Sequence, residues 1–183
     1  MLQIDIIEKC KRNNRKAQLQ LYNNYCNGMF IVAKRYLKND AEAEDAVQEA
    51  FIKAFTKLGQ FNSDVSFGAW LKRIVINKCL DVLKAKKAQL ITLEENHMTI
   101  VDGSNDDEWL VDDSVTIHDV INAINNLSDK YKYVVLLYLI EGYDHNEIAG
   151  ILQISTTASR TQLSRGKRKL QQMLTPKYHG SKH

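Results

Sequence analysis

The sequence predicts an all-α protein with two small helical domains, an N-terminal helix bundle and a C-terminal helix-turn-helix, joined by an acidic linker. Its 183 residues include one proline and eight glycines, few for a turn-rich β fold. Apolar residues recur at helical spacing on both sides of the middle of the chain. Between them, residues 88–116 show little helical or strand periodicity. A polar segment of that kind is typical of a linker.

The charge distribution supports the same division. Residues 1–87 hold 16 basic and 9 acidic residues, residues 88–116 hold no basic and 8 acidic ones, and residues 117–183 hold 9 and 5. Two basic parts therefore flank an acidic segment, and we expect that segment to be a linker that tethers them. The predicted boundaries are 1–87 and 117–176 for the domains, 88–116 for the linker and 177–183 for a frayed tail.

Composition argues against several functional classes. The chain is 44% apolar and 26% charged, enough apolar sequence for a core. No apolar run approaches the roughly 20 residues of a membrane span, so we expect a cytoplasmic protein without membrane insertion. Cys10, Cys26 and Cys79 lack metal-ligand or disulfide-framework spacing. Without a phosphate-binding loop or a nucleophile–base set, we predict no enzyme, metal or cofactor.

The N-terminal part predicts three or four helices. A first one ends near Lys38-Asn39, and Asp40 is a candidate N-cap for the next. The expected buried positions are Leu19, Tyr22, Cys26, Met29, Phe30, Ala33 and Leu37 in the first helix, and Val47, Phe51, Ala54, Phe55 and Leu58 in the second. Asp45, Gln48, Glu49 and Ile52 fall on the opposite side of the second helix. Ile52 is an apolar residue in a polar face, which hints at a protein contact.

A longer helix is predicted from Phe67 to about Lys87, after a polar loop. Its expected core stripe is Phe67, Leu71, Ile74, Val75 and Val82, while Arg73, Asn77, Asp81 and Lys84 share another face with Trp70 at its margin. A basic helix with asparagine and an aromatic residue can bind nucleic acid through phosphate contacts and stacking. The pattern alone equally fits a solvated amphipathic helix with Trp70 in the core.

The last third of the chain predicts a helix-turn-helix unit that binds DNA. Ser128 is a candidate N-cap for a helix that stops at Gly142, and Asp144 and Glu147 form a candidate capping pair for the next one. A three-residue break precedes a basic helix, capped by Ser155 or Thr156, with no acidic residue after Glu147. Such a helix fits the major groove.

The basic helix has two predicted faces. Inward we place Leu163, Gly166, Leu170 and Leu174, and on the preceding helix Ile148, Ala149 and Leu152. We expect Arg160 and Arg165 to read bases, since a bidentate arginine–guanine pair discriminates by about 1–3 kcal/mol. The remaining predicted DNA contacts are Thr157, Thr161, Ser164, Lys167 and Arg168, the last two more suited to phosphate.

Three segments together resemble the extracytoplasmic-function group of bacterial RNA polymerase sigma factors. The D-x-E-D-x-x-Q-E-x-F pattern is found between Asp40 and Phe51 with one residue inserted. The F-x-x-W-L-x-x-I-x-x-N-x-x-x-D pattern runs from Phe67 to Asp81, and the EIAGILQIS segment opens the helix-turn-helix. The resemblance covers roughly residues 19–174, with the family's domain order.

The resemblance implies roles for both ambiguous faces. The helix with the Q-E motif would dock on the clamp helices of the polymerase's largest subunit, and the flap region and promoter DNA would be further partners. The following loop and helix would read and help melt the minus-ten element, holding a flipped base. The implied polymerase contacts are Asp45, Gln48, Glu49 and Ile52, and the implied minus-ten contacts are Asn62, Ser63, Asp64, Ser66, Trp70, Arg73, Asn77 and Lys84.

The C-terminal domain would read the minus-thirty-five element, and an anti-sigma factor would be a further partner. The chain departs from the family in the helix-turn-helix. Gln153 stands where glycine is frequent in the turn, and Ser159 stands where an apolar residue is expected to seat the recognition helix. Gln162 replaces a frequent arginine. These departures concern the base contacts more than the fold.

Two other functions fit parts of the sequence. One is a helix-turn-helix regulator that works independently of polymerase, and the other is a protein–protein adaptor with solvated basic helices. The face containing Gln48 and Glu49, followed at the family's spacing by Trp70 and Asn77, argues against both, since neither function requires it.

Overall fold

The computed structural model describes residues 2–62, 64–90 and 115–174, and these residues are almost entirely helical, with no strand among them. The fold class predicted from the sequence is confirmed. The chain divides into two compact units, residues 1–98 and 99–183. The helices are α1 (Leu2–Lys11), α2 (Arg15–Tyr36), α3 (Asp40–Thr56), α4 (Phe67–Leu90), α5 (Ile117–Asn125), α6 (Asp129–Val135), α7 (His145–Leu152) and α8 (Thr156–Leu174).

Helices α2, α3 and α4 form an antiparallel bundle. Tyr22 of α2 packs on Phe51 of α3 with ring centroids 4.7 Å apart, while Lys34 near the far end of α2 pairs with Asp40 at the start of α3. Lys86 near the end of α4 likewise pairs with Glu42 in the first turn of α3. The fully buried large side chains between these helices include Leu21, Tyr36, Leu37, Phe51, Phe67, Leu71 and Ile76.

Small side chains bring α3 close to its neighbours. Its buried positions are Ala43, Ala46, Val47, Ala50, Phe51 and Ala54, so four of the six are alanines. At each of the four alanines only a methyl group lies between the helix backbones, which favours close packing. Phe55, which we expected in the core, is half-buried.

Several local predictions for this bundle are wrong. Asn39, not Asp40, is the N-cap of α3, because its side chain accepts a hydrogen bond from the Glu42 amide. Leu19 is exposed, and α2 instead buries Ala17 and Leu21. In α4 the core residues Ile76, Cys79 and Leu80 were missed, while Ile74 and Val82, expected in the core, are only half-buried. Since α4 contacts both α2 and α3, its buried surface is wider than one stripe.

Helix α1 was not predicted. It packs on α2 and on a 3-10 turn, Leu58–Gln60, and buries Ile7 and Cys10. Asn13 adopts the left-handed conformation with a φ of 59°, a region in which asparagine is enriched among non-glycine residues. Asn14 then caps α2 by accepting a hydrogen bond from the Ala17 amide at 3.0 Å.

The C-terminal unit contains α5 to α8. Residues Leu136–Ile140 continue α6 as a π-helical turn. The predicted stop at Gly142 is confirmed, since Gly142 has a φ of 77°. Ser128 is the N-cap of α6, but its side chain accepts no capping hydrogen bond. The largest fully buried side chains are Ile124, Leu136, Leu137 and Ile148.

Helices α7 and α8 form the predicted helix-turn-helix. The capping box of Asp144 and Glu147 is confirmed, with the Glu147 carboxylate 3.0 Å from the Asp144 amide. Residues 153–155 separate the two helices, and Ser155 caps α8 by accepting from the Ala158 amide at 3.0 Å. Gln153 adopts the left-handed conformation that ends many helices, with a φ of 57°. Its side-chain amide donates to the Gly150 carbonyl at 2.6 Å.

The two helices enclose a small core with α6. In α8 the residues Leu163, Gly166 and Leu170 are buried as predicted, and Ser159 is buried with them. In α7 Ile148 is buried as predicted, but its companion is Ile151, while Ala149 and Leu152 are half-buried. Most of the predicted linker, residues 91–114, and the predicted tail lie outside the described residues.

Candidate nucleic-acid and polymerase interfaces

The outer face of α3 is exposed, as predicted. Asp45, Gln48, Glu49 and Ile52 all lie on the solvent side, and Ile52 is 65% exposed. Beside it is a shallow groove of about 370 Å³ between α2 and α3. Tyr22, Gln48, Phe51, Ile52 and Phe55 line this groove. The aromatic walls from Tyr22 and Phe55 were not part of the prediction, since they join Ile52 only when the helices pack.

Glu49 on this face is already paired with α4. Its carboxylate contacts the Lys78 ammonium, which lies next to Asn77 in sequence. The pair connects the outer face of α3 to the helix that carries the predicted minus-ten contacts. Both side chains are partly solvated, so the pair contributes little to stability.

The loop before α4 is held by its own polar groups. The Asn62 amide nitrogen donates to the Asp64 carboxylate, and the Asp64 backbone N–H donates to the Asn62 side-chain oxygen at 3.4 Å. The Ser66 hydroxyl accepts from the Ala69 amide at 3.2 Å and so caps α4. Val65 is 53% exposed at the loop tip. Ser63, also predicted to contact the minus-ten element, lies outside the described residues.

Trp70 is half-buried in an aromatic cluster that the loop and α4 build together. Its ring centroid lies 5.4 Å from that of Phe61 and 5.7 Å from that of Phe67. Phe67 in turn packs edge-on against Tyr25 of α2 at 5.3 Å. The indole is therefore fixed in orientation while part of its surface stays accessible.

The basic face of α4 forms as predicted, because the helix is continuous over this stretch. Arg73 and Lys84 are exposed and Asn77 is half-buried. Residues four and seven apart share a helix face, so these three side chains lie in one row. Asp81, exposed on a neighbouring position, is an acid within this otherwise basic face.

The outer face of α8 holds the predicted minus-thirty-five contacts. Thr157, Arg160, Ser164 and Arg168 are exposed, while Thr161 and Arg165 are half-buried. Lys167 is engaged within the unit, since its ammonium lies 5.7 Å from the centroid of the Tyr138 ring. Lys169 likewise lies over Tyr131. The predicted set is thus brought together on one helix, with Lys167 partly committed to an intramolecular contact.

His145 is a polar residue of this unit to which the sequence assigned no role. Its Nδ1 lies 2.9 Å from the Ser159 hydroxyl, and its ring stacks on Tyr138 with centroids 4.9 Å apart. Burial lowers the pKa of the imidazole, and Arg160 and Lys167 lower it further, against the opposing effect of Asp144. These surroundings therefore favour the neutral ring more than water does.

Among residues 2–62, 64–90 and 115–174, no three His, Cys, Asp or Glu side chains cluster as metal ligands would. Within the same ranges no helix combines the length and apolarity needed to cross a bilayer.

Comparison with known proteins identifies both units. Residues 21–89 match the model of sigma-70 region 2, and residues 117–170 match that of sigma-70 region 4. The ECF RNA polymerase sigma factor SigW of Bacillus subtilis is 30% identical over 176 residues, which cover 92% of this chain and 94% of SigW. The RNA polymerase sigma-H factor of Pseudomonas aeruginosa is 26% identical, covering 93% of each chain.

Solved structures show the same fold. CnrH in complex with the cytosolic domain of CnrY has a TM-score of 0.55 at 23% identity, covering 92% of this chain and 94% of CnrH. The sigma factor RpoE of Bartonella quintana, crystallised with the anti-sigma factor NepR, has a TM-score of 0.57 at 20% identity, covering 85% and 94%. With both sigma-70 regions matched in one chain, the protein belongs to the extracytoplasmic-function group of RNA polymerase sigma factors and acts in transcription initiation.

Proposed function

We propose that this sigma factor uses three of the surfaces described above: the outer face of α3 for core polymerase, the loop and basic face of α4 for the minus-ten element, and the outer face of α8 for the minus-thirty-five element. One observation carries the proposal: the same chain exposes an isoleucine, Ile52, on the outer face of α3 and presents on α8 a basic face without acidic residues. A regulator independent of polymerase needs only the second. The domains would be 1–87 and 117–176, with 88–116 as their tether.

The proposed polymerase contact rests on Ile52. Full burial of an isoleucine contributes about 1.5–3 kcal/mol, and with 65% of its surface still exposed Ile52 retains roughly 1–2 kcal/mol of that for a partner. The groove beside it accepts an apolar side chain from the clamp helices of the largest subunit. Gln48 and Asp45 flank it with polar groups, as at the rim of an interface. For Glu49 to contact the polymerase, its carboxylate must first separate from the Lys78 ammonium.

This contact is tested by the double variant Gln48→Ala/Ile52→Asp. We expect its affinity for core polymerase to fall about tenfold or more, because burying the new carboxylate without a partner is unfavourable. A matched control is Gln20→Ala/Ile31→Asp on α2, which changes the same residue types at exposed positions, Ile31 being 58% exposed. Gln20 and Ile31 lie opposite Tyr22 on the α2 helical wheel, so they point away from the groove.

Binding of fluorescently labelled variants to sigma-free core polymerase measures this effect. Equal affinity of both double variants and the wild type for core would remove α3 from the interface. If both double variants lost affinity for core polymerase equally, the added acidic residue itself would weaken binding, whatever its position in the fold.

The proposed minus-ten site combines the capped loop with the aromatic cluster and the basic row of α4. Asn62, Asp64 and Ser66 supply polar groups that can hold an extruded base, with Ser63 between them in sequence. Trp70 supplies a fixed ring for stacking, since base–aromatic stacking contributes about 1–3 kcal/mol per base. Arg73, Asn77 and Lys84 follow in one row suited to a DNA backbone.

The proposed minus-thirty-five site divides into base and phosphate contacts. Arg160 and Arg165 are the base readers, and Thr157, Thr161 and Ser164 lie on the same face of α8. Arg168 and Lys167 lie nearer the end of α8 and contact phosphate. A single unit of this size binds weakly and with little selectivity, so polymerase sets the spacing between the two promoter elements.

The variant Arg165→Ala tests this division against Arg168→Ala as control. Loss of a bidentate base contact should lower minus-thirty-five preference by about 1–3 kcal/mol, whereas loss of a phosphate contact weakens binding to all sequences alike. Both are measured by transcription with core polymerase on promoters that differ only at minus thirty-five. If Arg165→Ala leaves promoter preference as it was, while core binding survives, Arg165 is not a base reader.

Further partners follow from the relatives. RpoE binds the anti-sigma factor NepR, and CnrH binds the cytosolic domain of CnrY. We propose that an anti-sigma factor binds this protein and holds it inactive in the cytoplasm, and that the flap region of polymerase receives the C-terminal domain. The protein performs no catalysis itself. Transcription in vitro with sigma-free core and a promoter library decides the proposal, and failure to bind core or to start any transcript would refute it.

A further inference from the structure

Ser159 is the polar exception on the inner face of α8. The other buried residues of this helix are Leu163, Gly166 and Leu170, while the Ser159 side chain is 0% exposed. A buried hydroxyl without a partner destabilises a fold, so an inward serine needs one. Ser159 has its partner in α7, where Nδ1 of His145 lies 2.9 Å from its oxygen.

His145 is itself fixed by a second contact. Its ring stacks on Tyr138 in the π-helical turn, with centroids 4.9 Å apart and planes inclined by 27°. Lys167, two helical turns along α8 from Ser159, places its ammonium 5.7 Å from the centroid of the same Tyr138 ring. The imidazole and the phenol therefore connect α8 to the preceding elements at two points of its length.

We propose that His145 is a positioning residue for minus-thirty-five recognition, which through its hydrogen bond to Ser159 fixes how α8 is seated and rotated. The inference rests on the proposed role of α8 in reading that element. Arg160 follows Ser159 directly, so a shift in the seat of Ser159 moves the guanidinium that would meet a base edge. Bidentate contact with a base tolerates little displacement, because both donors must meet their acceptors together.

The surroundings of His145 lower the pKa of its ring and so favour the neutral form. The charged groups that face it are Asp144 on its own helix, and Arg160 and Lys167 on α8. The uncharged neighbour of the ring is Tyr138 on the π-helical turn, which stacks on it. A neutral imidazole can accept from, or donate to, the serine hydroxyl, so the pair is satisfied in either tautomer.

A double-mutant cycle tests the pairing. The single variants are His145→Leu, which leaves the Ser159 hydroxyl buried without its partner, and Ser159→Val, which removes the hydroxyl that His145 contacts. The double variant His145→Leu/Ser159→Val replaces the polar pair by an apolar pair. Residues in contact show non-additive effects in such a cycle.

The readout is the ratio of transcripts from promoters with a preferred and an altered minus-thirty-five element, made by full-length protein with core polymerase. The preferred element is the one that the wild type selects from a library randomised at that position. We expect each single variant to lower the ratio about tenfold, the equivalent of losing one buried hydrogen bond. The double variant should return to within about threefold of the wild type. Affinity for core polymerase should be equal in all four proteins.

A conservative variant separates positioning from folding. His145→Asn retains an amide close to where Nδ1 lies, and removes the ring that stacks on Tyr138. If the hydrogen bond fixes α8, this variant keeps a ratio nearer to that of the wild type than His145→Leu does. It also decides the question if His145→Leu fails to fold, as judged by hydrogen exchange of α8.

The outcomes are distinct. A wild type that transcribes both promoters equally would overturn the minus-thirty-five proposal and this inference with it. A selective wild type with equally selective single variants would overturn the role of His145 alone. Additive losses in the double variant would also overturn it, since they would show that the two side chains act separately.

Discussion

Replacing Gly166 by alanine tests how closely α8 approaches α6. A methyl group built on Gly166 lies 2.6 Å from Cγ2 of Val135 and 3.5 Å from Cβ of Tyr131. Carbon atoms in contact prefer about 3.5–4.0 Å, so one of the two helices must move by about an ångström. Val135 is fully buried and, as a β-branched residue in a helix, has a single strongly preferred rotamer. The Val135 side chain therefore cannot rotate away from the added methyl group without a cost in energy.

Two opposing effects set the magnitude. Overpacking a well-packed core costs about 1–3 kcal/mol. Alanine is favoured over glycine inside a helix by up to about 1 kcal/mol. With the full offset, we expect Gly166→Ala to lower the free energy of unfolding of the C-terminal unit by up to about 2 kcal/mol. Gly150→Ala in α7 is the matched control, because nothing lies within 4 Å of its added methyl group.

Hydrogen exchange of the α8 amides in the full-length protein measures both variants, since it reports the free energy of opening of that unit separately. Gly166→Ala should exchange faster than the wild type, and Gly150→Ala at an equal or slower rate. The further change Val135→Ala should be less harmful in the Gly166→Ala background than alone, because it makes room for the new methyl group. Equal protection in Gly166→Ala and Gly150→Ala would refute the close approach.

Two further predictions concern titratable groups. Since the pKa of His145 is lowered on folding, the unfolded chain binds its proton more tightly, so stability is full above about pH 6.5 and falls as the pH drops through the folded-state pKa. His145→Leu should remove that part of the loss as the pH falls below about 6.5, measured by urea unfolding of the C-terminal unit, and identical pH dependence in both proteins would contradict it. Burial raises the pKa of Cys79 to about 12, and the thiolate is the nucleophile. Iodoacetamide should therefore modify half-buried Cys26 in the native protein and spare Cys79, as peptide mass mapping would show; equal rates at both would contradict the buried position.

Most of the helical architecture could be predicted from the sequence because it depends on local patterns. The outer face of α3, the capping box at Asp144 and the length of the turn after α7 follow from residues close together in the chain. The errors arose where tertiary packing decides. Helix α4 has two neighbours, so Ile76 and Cys79 are buried outside the expected stripe. Asn39 rather than Asp40 caps α3, because it is the Asn39 side chain that accepts the hydrogen bond from the Glu42 amide.

The candidate sites show the same division. Exposure of Gln48, Ile52 and Arg160 could be predicted from helix periodicity. The contact between Ser159 and His145 could not, because the two are 14 residues apart and meet only through the angle set by the turn at Gln153. The sequence signal was indirect: a serine at an inward position requires a polar partner somewhere. The pairing of Glu49 with Lys78 was missed likewise, since it needs α3 and α4 side by side.

The short helices of the C-terminal unit have a consequence for the order of events during synthesis. Helices α5 and α7 have nine and eight residues, and α6 with its π-helical turn has twelve, so none is longer than the roughly 12–15 that an isolated helix needs in water. They gain stability only when Leu163, Gly166 and Leu170 of α8 close the core, so this unit cannot fold until nearly its whole length has left the ribosome. The bundle of α1 to α4 is complete at Leu90. The nascent chain thus acquires the outer face of α3, the proposed polymerase contact, well before α8, the proposed reader of the minus-thirty-five element, in keeping with domains that fold in order from the N-terminus.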